Sequence, residues 1–101
     1  MLVAAALTVS VAGPAMAAEK YGWKTGCSTD SPVAVQAHTT GNGYIRTYDA
    51  NGNNNNYDNF SGSSGTYLFH YGASNYLAAA NWHVVTNGAI DSPNTYAYCA
   101  S

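Results

Sequence analysis

The chain holds two cysteines, Cys27 and Cys99, and they bracket almost everything in it that can fold. A single pair permits one intramolecular bridge, so the connectivity is fixed once the thiols are oxidised. Such a bridge closes a loop of about 70 residues and stabilises the native state by roughly 4 kcal/mol. A domain this small is stable by only ~5–10 kcal/mol, so one covalent bond carries a large share of the total. Neither cysteine belongs to a Cys-x-x-Cys pair at a helix N-terminus, and the sequence therefore predicts a structural staple rather than a redox site.

The N-terminal residues decide the compartment in which that bridge persists. Residues 2–13 are apolar and small, and the first charge is Glu19. Ala15-Met16-Ala17 satisfies the small-x-small rule for cleavage before Ala18. The apolar run falls short of the ~20 residues that a spanning helix needs. The expectation is a signal peptide at 1–17 and a secreted, extracellular β domain at 18–101, with no membrane span in the mature chain. No Lys or Arg precedes the apolar run, so the expected leader is one truncated at its N-terminus.

Charge is scarce, with three Lys and Arg against five Asp and Glu. Clustered cations are what neutralise phosphates, so nucleic acid is excluded as an expected partner. A polybasic membrane anchor is excluded for the same reason. The chain is nevertheless rich in aromatic residues, nine of them tyrosines, which a disordered chain is not. Its polarity is carried by amides and hydroxyls, a composition suited to an extracellular surface that faces sugars or a cell wall.

Alternation marks the strands. Tyr21-Gly22-Trp23-Lys24 reads as a short first strand. Val33–Thr39 is the clearest, with Val33, Val35 and Ala37 on one face and Gln36 and His38 on the other. Thr40-Gly41-Asn42-Gly43 then reads as a tight turn into Tyr44–Asp49, which predicts a hairpin over residues 33–49. Residues 50–65 are rich in Asn, Gly and Ser and read as a long loop, with Phe60 as its apolar anchor. Thr66–Tyr71, Asn81–Thr86 and Thr95–Cys99 supply further strands. Residues 76–80 are ambiguous, since five residues without caps make a poor helix. The predicted fold class is all-β: a small single-domain antiparallel β-sandwich or barrel of about five to seven short strands, with one disulfide.

An inward Cys99 sends Ala97 inward and Tyr96 and Tyr98 outward. Inward Ile45 and Thr47 send Tyr44, Arg46 and Tyr48 outward. These five residues, Tyr44, Arg46, Tyr48, Tyr96 and Tyr98, are the candidate binding residues, unless a two-layer sandwich buries the rings against a loop. Other chemistries are poorly supplied. His38, His70 and His83 lie on three different expected strands and lack ligand spacing. Asp49-Ala50-Asn51-Gly52-Asn53 echoes the opening of a calcium loop, but Asn54 and Phe60 stand where that loop needs Gly and a bidentate Glu. Glu19 is the single Glu, and no Gly-x-Ser-x-Gly elbow occurs. The expectation is no catalytic residue, no metal and no cofactor. Asn59-Phe60-Ser61 matches a glycosylation acceptor.

Trp23-Lys24-Thr25-Gly26, Trp82 with Gly88, and Tyr96 with Tyr98 loosely resemble the lactococcin 972-type secreted bacteriocins. Tyr48-Asp49-Ala50-Asn51-Gly52 resembles a strand end of the βγ-crystallin-type killer-toxin-like proteins. Either resemblance implies a secreted antibacterial toxin, and neither carries over a functional residue. The residues themselves point to a non-catalytic extracellular binding module, a monomer that uses exposed tyrosines on a glycan, a cell wall or a protein. A protease inhibitor fits less well, because loop 50–65 is unbraced and glycine-rich.

Overall fold

The computed structural model describes residues 18–100, so the expected signal peptide at 1–17 lies outside the described residues. Seven strands form among them: β1 Ala18–Lys24, β2 Val33–Thr39, β3 Gly43–Tyr48, β4 Asn56–Phe60, β5 Leu68–Ala73, β6 Ala80–Thr86 and β7 Tyr96–Cys99. A 3₁₀ turn at Ser92–Asn94 precedes β7. The strands pair in two antiparallel sheets, a four-stranded one ordered β1-β6-β3-β4 and a three-stranded one ordered β5-β2-β7. The all-β expectation with one disulfide is met. No helix among the described residues is long and apolar enough to cross a membrane.

Period-2 alternation decides what the two sheets bury. Val35 and Ala37 of β2 meet Ile45 of β3 and Trp82 and Val84 of β6 in one core, with Phe60, Ile90 and Ala97 packed against it. The core is made largely of small and β-branched side chains. Thr39, Thr47, Thr86 and Thr95 are fully buried beside them. Thr86 Oγ1 donates to the Thr40 carbonyl at 2.6 Å and Thr95 Oγ1 to the Asp91 carbonyl at 3.0 Å, which offsets the desolvation of these hydroxyls. Gly22 is required by the same packing, since a Cβ there would lie 2.9 Å from Trp82 Nε1.

Every connection except that from β3 to β4 carries the chain from one sheet to the other. The hairpin expected over residues 33–49 therefore does not form: β2 pairs with β5 and β7, while β3 pairs with β4 and β6. Its turn residues bond to other loops instead of to each other. Thr40 N–H donates to the Ala89 carbonyl at 3.0 Å, Gly41 N–H to the Ser63 carbonyl at 2.8 Å, and Asn87 N–H to the Asn42 carbonyl at 2.9 Å. Gly43 is a glycine because β6 passes against it, and a Cβ would collide with the Val85 carbonyl. The glycines mark a close crossing between layers rather than a hairpin turn.

The second correction concerns residues 50–65, which are not all loop. Asn56–Phe60 forms the edge strand β4, and the true hairpin is β3–β4. Its inward residues are Asn56, Asp58 and Phe60, so its alternation is masked by polar side chains whose partners lie in β5. Asp58 Oδ2 accepts from Ala73 N–H at 3.1 Å, Asn56 Nδ2 donates to the Ala73 carbonyl at 2.6 Å, and the Phe60 ring stacks on His70 at 4.0 Å.

The opposite side of the molecule is closed by the disulfide. Cys27, just beyond β1, bonds to Cys99 at the end of β7, with Cα atoms 5.3 Å apart. Both strands are sheet edges, one in each layer. Lys20 adds a second tie there, donating to the carbonyls of Ser92 at 2.7 Å and Thr95 at 2.6 Å. Cys27→Ala/Cys99→Ala should lower unfolding stability by roughly 4 kcal/mol, read as a lower guanidinium midpoint; an unchanged midpoint contradicts the role given to the bridge.

His70 supplies a pH prediction. Burial, with a smaller contribution from His38, pushes its ring below the ordinary histidine value of 6.5, and its Nε2 is buried without a partner. At pH above that value the ring is neutral in both folded and unfolded chains. As pH falls below it, the unfolded ring takes up a proton that the folded ring resists, so stability declines. His70→Phe keeps the stack on Phe60 and should flatten the fall in melting temperature between about pH 7 and pH 5 relative to the parent chain. Parallel pH profiles for the two proteins contradict this.

Candidate functional site

Because the inner faces take up the aliphatic residues, the outer faces display the aromatic ones. On the four-stranded sheet the strand register builds three cross-strand rows. Tyr21, His83, Arg46 and Tyr57 form the central row, one residue from each strand. Trp23, Asn81 and Tyr48 lie on one side of it, and Glu19, Val85, Tyr44 and Asn59 on the other. With strands about 4.8 Å apart, the central row spans roughly 14 Å. Tyr21 is 72% exposed, Trp23 49% and Tyr57 52%, whereas Tyr44, Arg46 and Tyr48 are half-buried by their neighbours.

The polar groups of this face are arranged around the rings. The Arg46 guanidinium lies 4.2 Å from the centre of the Tyr48 ring and 5.5 Å from that of Tyr57, and its Nε donates to Asn55 Oδ1 at 2.7 Å. Tyr44 and Tyr57 approach at 5.5 Å. The edge of Tyr21 meets His83 at 5.6 Å, and His83 Nε2 lies 2.6 Å from Glu19 Oε1.

The three-stranded sheet has an aromatic outer face of its own, with Phe69 and Tyr71 from β5, Gln36 and His38 from β2, and Tyr96 and Tyr98 from β7. Here the polar groups are bonded internally. His38 stacks on Phe69 at 4.0 Å, and its Nδ1 lies 2.7 Å from Asp91 Oδ2. The Asn94 amide bonded to that oxygen at 2.6 Å, and then His38, hold the Asp91 carboxyl below the usual carboxylate range. Gln36 Nε2 donates to the Asn94 carbonyl at 3.0 Å. Tyr98 is half-buried, and burial pushes its hydroxyl up. An acid–histidine pair of this kind orients a general base, but among the described residues no hydroxyl or thiol bonds the other nitrogen of His38.

The candidate residues read from the sequence are thus divided. Tyr44, Arg46 and Tyr48 share the outer face of the four-stranded sheet, while Tyr96 and Tyr98 share that of the other sheet. Tyr96 and Tyr98 meet at 6.3 Å. The three histidines are also separated: His83 and His38 lie on opposite outer faces, and His70 lies inside. Asp49, which opens the calcium-like motif, spends its carboxylate on the loop. Oδ1 accepts from Asn51 N–H at 2.9 Å and Asn53 N–H at 2.8 Å, and Oδ2 accepts from the Asn54 amide at 2.8 Å. These donors, Asn53 first, hold Asp49 below the usual carboxylate range and stand where a cation would need open oxygen. Tyr21, Trp23 and Tyr57 also belong to the outer face but are not among the five binding candidates, and His83, weighed from the sequence only as a metal ligand, lies beside them. Tyr21-x-Trp23 has the same alternation as Tyr44-x-Arg46-x-Tyr48, which is the signal that would have found two of them. Tyr57 is hidden in the Asn-rich run.

The chain matches no protein-family model, no curated protein and no solved structure.

The two faces of the four-stranded sheet should respond oppositely to truncation. Tyr21→Ser and Trp23→Ala should each change stability by about 0.5 kcal/mol or less, whereas Trp82→Ala should cost about 3–5 kcal/mol. Thermal or urea unfolding of the three variants checks the assignment, and comparable losses in all of them contradict it.

Proposed function

We propose that this protein is a non-catalytic, extracellular binding module that holds a polysaccharide, such as one of a cell wall, on the outer face of β1-β6-β3-β4. The observation that supports this reading is the band of Tyr21, Trp23, Tyr44, Tyr48 and Tyr57 on one sheet face. The fold leaves these rings toward solvent instead of using them in its core. Aromatic rings with a polar atom at one end suit a sugar, whose ring faces are apolar and whose hydroxyls need hydrogen-bond partners. Asn59, Asn81 and His83 stand between the rings as such partners. A contiguous aromatic surface on a small chain is otherwise a liability for association, so it carries a use. The oxidised Cys27–Cys99 bridge accords with work outside the cell.

The test is retention of the oxidised chain on insoluble peptidoglycan, chitin and cellulose, competed by soluble oligosaccharides of the same polymer. Loss of one stacking ring, in Trp23→Ala or Tyr57→Ser, should weaken binding by about two- to tenfold. Tyr96→Ser and Tyr98→Ser, on the other sheet, should leave it unchanged. Binding that depends on Tyr96 or Tyr98 and not on Trp23 or Tyr57 would move the site to the opposite face.

A further inference from the structure

Resting on that reading, we infer that the saccharide is anionic, and that Arg46 recognises a carboxylate or phosphate group on it. Three observations on the face converge on this. First, Arg46 stands in the central row with rings on either side, so a sugar chain stacked on Tyr21 or Trp23 at one end and Tyr57 at the other passes over its guanidinium.

Second, this cation has not been neutralised. Among the described residues the ion pairs are His38–Asp91 and His83–Glu19, and Arg46 has no carboxylate partner. Four of the five acidic residues are committed elsewhere. Glu19, on the same face, is held by His83 at 2.6 Å. Asp58 faces inward to Ala73 N–H, Asp49 closes its own loop, and Asp91 lies on the other sheet. Of the two lysines, Lys20 is bonded to the Ser92 and Thr95 carbonyls and extends toward the other layer. The protein is acidic overall, with a formal net charge of −2, yet it keeps this cation on its aromatic face.

Third, the guanidinium is pre-positioned. Tyr48 at 4.2 Å, Tyr57 at 5.5 Å and Asn55 Oδ1 accepting from Nε hold it in place, while its two terminal nitrogens have no partner among the described residues. A planar fork with both ends open matches the paired oxygens of a carboxylate or phosphate. Because the side chain is ordered before binding, less rotamer entropy is lost on capture. A neutral glycan offers that fork hydroxyls and, in acetamido sugars, single amide carbonyls, but no paired anionic oxygens.

The experiment compares three soluble probes by calorimetry at low salt: an oligogalacturonate for carboxylate, a phosphomannan oligosaccharide for phosphate, and chitohexaose as the neutral control. At least one anionic probe should bind about tenfold more tightly than chitohexaose, and Arg46→Gln should remove that advantage, its loss on the anionic probe exceeding any loss on chitohexaose by about tenfold. Arg46→Lys, which keeps the charge but not the fork, should recover only part of it. Whichever anionic probe shows the larger Arg46-dependent gain names the group recognised. Equal binding of anionic and neutral probes, or an anionic preference that survives Arg46→Gln, overturns the inference and leaves the polysaccharide reading in place. Binding to none of the probes overturns the inference alone, and binding unaffected by Trp23→Ala and Tyr57→Ser overturns both.

Discussion

The structure depends on one constraint: its two sheets share a thin core, and the chain must cross between them at nearly every connection. Only β3 and β4 are neighbours both in sequence and in a sheet. The other pairings join distant parts of the chain, as when β1 closes on β6 and β2 on β7. Contacts of that kind cost loop-closure entropy before they return any burial. The Cys27–Cys99 bridge acts on this cost directly, because it joins the edge strands of the two layers and removes much of the freedom of the unfolded chain. On the far side, Phe60 on His70 and Asp58 on Ala73 tie the edge strands of the two layers in the folded state.

The composition of that core explains the surface. Valines, alanines, buried threonines and the indole of Trp82 fill the space between the layers, and little room is left for further rings. The tyrosines of the strands consequently lie on the two outer faces. On the three-stranded sheet their polar companions satisfy one another, through His38, Asp91, Asn94 and Gln36. On the four-stranded sheet Arg46 is stacked and oriented but not paired. The band of rings is why we assign recognition to β1-β6-β3-β4, and the unpaired Arg46 is why we infer an anionic ligand there.

Much of this was legible in the sequence where alternation was clean. Val33-x-Val35-x-Ala37 and Ile45-x-Thr47 announced their inner faces, so the outward direction of Tyr44, Arg46 and Tyr48 followed, and Cys99 oriented Tyr96 and Tyr98 correctly. The partners of those strands were not legible. Gly41 and Gly43 carry the chemistry of a hairpin turn, but their glycines serve close passage beside Asn87, Gly88 and Val85, a tertiary fact that no local pattern reports. The separation of Tyr44 from Tyr96, one on each sheet, follows from the same topology. β4 escaped for a different reason: Asn56 and Asp58 face inward to bond Ala73, so a true strand reads as a polar loop.

The central claim is that ligand is held on the outer face of the four-stranded sheet, and mapping the contact by nuclear magnetic resonance tests it most directly. Titration with an oligosaccharide released from the polymer that retains the protein should shift the backbone and ring signals of Tyr21, Trp23, Tyr44, Tyr48 and Tyr57, with the Arg46 guanidinium signal moving most. Signals of Phe69, Tyr71, Tyr96 and Tyr98 should stay in place. Shifts centred on those four residues instead would contradict the account and assign recognition to β5-β2-β7.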